Sequence, residues 1–185
     1  MQAEKAQTMI LRSVEAPSML EKDYAVWKVV NAVLGGRSSS RLFRVIREER
    51  GLAYAVGSFY PSRKLGSQFV VYAGTRPQSA NEVRALFDEV FGPVSAEELA
   101  DAKRLIKGEF ALDHEEVTRR VYYLGWYESL GLGAGFDSEY PRRIDAVALD
   151  EVNRVIAGLK NSPSIEVIYG PNAGSNTGSN TGAEK

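Results

Sequence analysis

The chain contains no cysteine and a single histidine among its 185 residues. No disulfide and no thiolate metal site can therefore form, and the redox compartment is left open. An excess of either charge is also missing: 23 Lys and Arg stand against 24 Asp and Glu, a net charge of −1. Surfaces for nucleic acid or anionic membranes need a basic excess, so neither partner is expected. There is no run of about 18 apolar residues to span a bilayer. The opening Met1-Gln-Ala-Glu-Lys-Ala-Gln also lacks the apolar stretch of a secretory signal. The expectation from these lacks is a protein without a membrane span, in the cytoplasm.

What is present is ordinary globular material, with 44% hydrophobic and 25% charged residues. The length suits one domain with a substantial core rather than two. The domain is expected over 1–170. Residues 171–185 contain a tandem Ser-Asn-Thr-Gly and no large apolar side chain. They cannot bury enough surface to offset their ordering entropy, which predicts a flexible tail.

Residues 1–6 read as a polar leader and 7–14 as a strand that ends at Pro17. Asp23 is placed to cap a helix in which Tyr24, Trp27, Val30, Val33 and Leu34 recur at helical spacing, so Trp27 reads as core. Gly35 and Gly36 are expected to close that helix in the left-handed conformation. The serines at 38–40 are expected to cap the next helix, with Leu42, Phe43 and Ile46 inward, which Gly51 stops. Two strands follow, at 52–60 and 67–75, joined by the turn-rich 61–66. In the first, Leu52, Tyr54, Val56 and Tyr60 are expected on one face. Ala53, Ala55 and Gly57 lie on the other, small enough to let a helix approach.

Ser79 with Glu82, and Ser95 with Glu98, have capping-box spacing. The first opens a stripe of Val83, Leu86, Phe87, Val90 and Phe91, ended by Gly92-Pro93. The second opens one of Leu99, Ala102, Leu105 and Ile106. Asp113 and Glu116 read as a third start, leading into the aromatic helix of Tyr122, Tyr123, Trp126 and Tyr127, which Gly131 ends. Further helices are expected near 139–148 and 150–159, and a last strand at 164–169. That order predicts an α+β fold: a two-layer sandwich of helices packed on one face of a mixed, largely antiparallel β-sheet.

Several motifs in this order resemble one family. G-G-x-S-S-S-R-L-F at 35–43, then I-R-E-x-x-G-L-A-Y-x-V at 46–56, then Gly108-Glu-Phe-Ala-Leu-Asp-His-Glu and Leu124-Gly-Trp-Tyr-Glu are similar to the pitrilysin family of zinc metallopeptidases. That family includes insulin-degrading enzyme, the mitochondrial processing peptidase and the respiratory core proteins. The likeness is to the second, metal-free half and covers about residues 7–170. One departure is the stretch 76–95, a turn or two shorter than the family suggests.

Catalytic chemistry in the family rests on H-x-x-E-H, two imidazole ligands and a carboxylate base. One histidine, His114, cannot supply it, so no metal site is expected here. A carboxylate-rich alternative of Asp113, His114, Glu115 and Glu116 fails because adjacent helical positions diverge. Nor is a serine hydrolase supported, since the serines at 38–40 lack the G-x-S-x-G elbow. The glycine pair has no G-K-[ST] to make a phosphate cradle.

On the aromatic helix, Arg120 and Tyr127 are seven apart, which returns them to within about 20° of one face. Arg119 with Tyr123, at i,i+4, is the competing pair. The resemblance implies that Arg120 and Tyr127 bind a peptide substrate and stabilise its tetrahedral intermediate, opposite zinc held by another half. It also implies a partner, either a domain or a subunit with H-x-x-E-H, in a homo- or heterodimer. The chain alone would be proteolytically inert. The alternative is a purely structural or assembly domain.

Overall fold

A computed structural model describes residues 7–171; the leader and, apart from Pro171, the expected tail lie outside the described residues. The elements run β1 (Thr8–Ala16), α1 (Tyr24–Leu34), a π-helix (Phe43–Glu49), β2 (Ala53–Phe59), β3 (Ser67–Thr75), α2 (Ala80–Glu89), α3 (Ala96–Asp113), α4 (Val117–Leu130), α5 (Phe136–Ala146), α6 (Leu149–Leu159) and β4 (Ser164–Tyr169). The sheet order is β2-β3-β1-β4, and every pairing among the described residues is antiparallel.

Alternation along the central strands builds one apolar face. Ile10 lies opposite Ala73 and Val14 opposite Phe69, and all four are buried. The helices pack onto that face through Val26, Val29 and Val30 of α1, Val83 and Phe87 of α2, and Val152 and Ile156 of α6, all buried. On the other face Phe59, Ile165 and Val167 stay exposed. The fold is thus an α+β sandwich with helices on one face of an antiparallel sheet. β1 also turns Arg12 toward the helices, where its guanidinium meets Asp88 of α2 at 2.7 Å and Glu166 of β4 at 3.2 Å. The ring of Phe87 lies 5.7 Å from it. A charge on the covered face is tolerated because it is paired there.

The glycine pair works differently from expectation. Gly35 has φ −159°, not a left-handed angle. A Cβ there would sit 2.3 Å from the Ser58 amide nitrogen, and the Gly35 carbonyl accepts from that amide at 3.0 Å. Gly35 is therefore needed for close approach: the end of α1 seals the edge of β2. Gly57 shares the contact, since its Cβ would lie 2.9 Å from the Gly35 oxygen, as the small-residue face predicts. Left-handed glycines do occur at Gly51 and Gly131, two of the expected helix stops.

The serines at 38–40 do not cap. Ser40 is buried with its hydroxyl unpartnered, and the following segment winds as a π-helix with no side-chain cap. The N-terminal hold comes from Arg41. It donates to the carbonyls of Val90, Gly92 and Pro93 and to both oxygens of Glu98. Of the two expected capping boxes, Ser95–Glu98 forms in full. Ser79 makes no side-chain cap, because a 3₁₀ turn at Pro77–Ser79 leads into α2 instead. Asp23 precedes α1 without capping it and faces Arg154 at 3.5 Å.

In β2 a bulge between Ala53 and Ala55 breaks the expected alternation. Tyr54 is turned outward, 75% exposed. Arg47 lies 4.6 Å from its ring and from that of Phe43, and also donates to the Tyr54 carbonyl.

Candidate functional site

The aromatic helix α4 closes one side of a cavity of about 330 Å³. Its start is not the one expected. Asp113 is the last residue of α3, and α4 begins after Glu116 without a side-chain cap. The Asp113 carboxylate instead reaches the Tyr123 hydroxyl at 3.0 Å and pairs with Arg119. The competing i,i+4 pair thus does come together, at Asp113. The N-terminal turns of α4 stand in solvent, with Val117, Val121 and Tyr122 all exposed.

Arg120 and Tyr127 are placed very differently. Arg120 is exposed and makes no hydrogen bond or ion pair among the described residues. Tyr127 is buried at 4% exposure and packs on Phe136, ring centroids 5.0 Å apart. Its hydroxyl has no hydrogen-bond partner among the described residues, yet the residue lines the cavity. Burial, and then the charge of Asp137, pushes this phenol above its ordinary pKa, so it stays protonated and can donate. Helical spacing put the two on one side of α4. The closing of α5 over the second half alone buried one of them.

His114, at the C-cap of α3, is wedged between rings, 3.9 Å from Phe110 and 4.7 Å from Tyr123. Nδ1 donates to the Phe110 carbonyl at 2.7 Å, and Nε2 meets Asp137 at 2.7 Å. The Nδ1 bond stays within the last turn of α3, and the Nε2 contact holds α3 to α5. No group of three or more His, Asp or Glu side chains suited to a metal ion exists among the described residues, so the residues present do not fit zinc.

Two cavity residues carry no motif. Lys28 of α1 reaches inward, donates to the Tyr60 carbonyl at 3.1 Å and lies near the rings of Tyr24 and Tyr60 at 5.3 and 5.2 Å. Burial lowers its pKa to about 8, with Glu109 opposing the shift. Tyr140 of α5 lines the same space without a hydrogen bond among the described residues, and burial raises its pKa well above normal. The only sequence signal for Lys28 is its place one turn after Tyr24 on the apolar face of α1. Tyr140 lies inside a helix that starts three residues earlier than the expected 139.

Comparison with known proteins agrees with this architecture. Residues 1–106 match the model of the peptidase M16 inactive domain. An uncharacterized zinc protease of Bacillus subtilis is 32% identical over 131 residues, 68% of this chain and 32% of that protein. A protein named a non-peptidase homolog from Helicobacter pylori is 31% identical, over 74% of this chain and 33% of its own length. The crystal structure of a peptidase M16 inactive domain from Pseudomonas fluorescens superposes with a TM-score of 0.78 at 23% identity, covering 91% of this chain and 42% of that one. The chain spans about a third of the length of these two curated relatives. It belongs to the peptidase M16 inactive-domain family.

Proposed function

We propose that this chain is the metal-free half of an M16 zinc peptidase: it forms one wall of the peptide chamber and leaves hydrolysis to a half bearing H-x-x-E-H. The observation that carries this reading is the state of its single histidine, with both ring nitrogens spent on Phe110 and Asp137. On this reading zinc and the base that activates its water belong to the partner half, and this chain supplies contacts to the substrate. Arg120 offers an uncommitted guanidinium to a peptide carbonyl or a partner surface, a geometry suited to charge-assisted hydrogen bonds. Tyr127 contributes its hydroxyl only to a group that enters the cavity.

A second reading, a structural or assembly domain without part in catalysis, draws support from the burial of Tyr127. The reading is tested by combining the chain with the zinc-bearing half of its own system and following a fluorogenic peptide. Chelator-sensitive cleavage by the mixture, with neither part active alone, supports the peptidase half. A stable complex that never cleaves assigns the chain to assembly.

A further inference from the structure

The cavity under α4 has a lining whose donors and acceptors do not balance. Its acidic and basic residues are Lys28, Arg37, Glu109, Asp113 and His114. Glu109 is paired with Arg37, Asp113 with Arg119, and His114 with Asp137. Only Lys28 has no ion-pair partner among the described residues, and its one hydrogen bond, to the Tyr60 carbonyl, leaves N–H donors to spare. The same cavity is lined by two phenols without hydrogen bonds among the described residues, Tyr127 and Tyr140. Both are kept protonated by burial. The carboxylates lining the cavity are already engaged, so the groups left over are donors and one positive charge. The rest of the wall joins the rings of Phe110, Trp126 and Phe136 to the polar side chains of Asn31 and Ser62. The volume of about 330 Å³ is at the lower end for small-ligand sites, roughly 300–1,000 Å³. It suits a single ring with a short chain.

We propose that this cavity is a binding site for a carboxylate carried on an aromatic or apolar body, the carboxylate meeting Lys28 and the two phenols and the body lying against the rings. Such a group is either a free arylalkyl acid or the C-terminal residue of a peptide. The site stands whether or not the chain serves a peptidase. Lys28 and the two phenols line the cavity with donor capacity to spare, which an acceptor-rich anion can take up. Lys28 is protonated at neutral pH and loses its proton around pH 8, so binding weakens as the pH rises through that value.

The test is calorimetric titration of the full chain with 3-phenylpropionate and with Gly-Gly-Phe, each compared with its amide. At pH 7 the acids are expected to bind at least ~10-fold more tightly than the amides, a difference of about 1.4 kcal/mol. Lys28→Met removes that preference, and Tyr140→Phe reduces it with the fold intact. Binding of phenylpropionate alone identifies a small acid as the ligand; binding of the tripeptide identifies a peptide terminus. Equal affinity for acid and amide, or no binding of either acid at about 10 mM, overturns the proposal. The acid–amide comparison needs only the unaltered chain, so it decides the question even where a variant fails to fold.

Discussion

Arg41 and Glu98 meet as a two-pronged pair, Nε to Oε1 and Nη2 to Oε2, each at 2.7 Å. The same guanidinium donates to three carbonyls in the turn after α2, while Glu98 closes the capping box of α3. One side chain from the S-S-R-L-F motif thereby ties the π-helix, the α2–α3 turn and the start of α3 together. The arginine of that motif serves the fold here.

Arg41→Ala is expected to cost about 2–4 kcal/mol, since it leaves partly buried acceptors without donors. The Arg41 hydrogen bond, against the opposing effect of burial, holds the Glu98 carboxyl down from 4.5 to about 2. A depressed carboxyl stabilises above its unfolded pKa, and that contribution fades as pH falls. The gap between wild type and Arg41→Ala should therefore be full above pH 4.5 and shrink toward pH 2. Urea denaturation across that range measures it, and a gap that stays constant counts against the pair.

Gly35→Ala should destabilise by roughly 1–3 kcal/mol, because its Cβ would press on backbone that cannot retreat without breaking the edge contact. Gly108→Ala, within α3 and with nothing near its Cβ, should gain about 0.5–1 kcal/mol from helix propensity. Opposite signs in thermal melts of the two variants are the expected outcome. Equal effects would remove close approach as the reason for Gly35.

Lys28 gives a signature at the alkaline end. Its folded pKa is lowered from 10.5 to about 8, chiefly by burial, so the unfolded chain binds more protons between those values. The penalty of burying the ammonium is complete below pH 8 and is relieved as pH rises toward 10.5. Lys28→Met should be more stable than wild type at pH 7, with the difference closing across that window. A difference independent of pH would show that the ammonium is well solvated.

Tyr127→Phe should change stability by less than about 1 kcal/mol, since its hydroxyl has no partner to lose. Tyr127→Ala empties a packed site and should cost about 3–5 kcal/mol. In the assembly with a zinc-bearing half, Tyr127→Phe lowers kcat ~10²–10³-fold on the peptidase reading. Arg120→Ala lowers kcat/KM there with stability unchanged within about 0.5 kcal/mol. Full activity in both variants returns the chain to the assembly reading.

Periodicity and punctuation were enough for much of the fold. The stripes on α2 and α6, β3 at 67–75, β4 at 164–169 and the Ser95–Glu98 box follow from residues within a few positions of one another, and local chemistry decides such features. The single histidine and the lack of cysteine likewise bound the chemistry through composition alone. Tertiary contact decided the rest. Gly35 is explained only by Ser58, 23 residues away in sequence, and Arg41 only by the turn at 90–93 and Glu98. Helical spacing put Arg120 and Tyr127 on one side of α4, but it could not say that α5 covers only one of them. Lys28 reads in sequence as a charge on a helix. The burial that lowers its pKa and the cavity it faces arise only when α1, α3, α4 and α5 pack together, because burial is a property of neighbours and not of a residue.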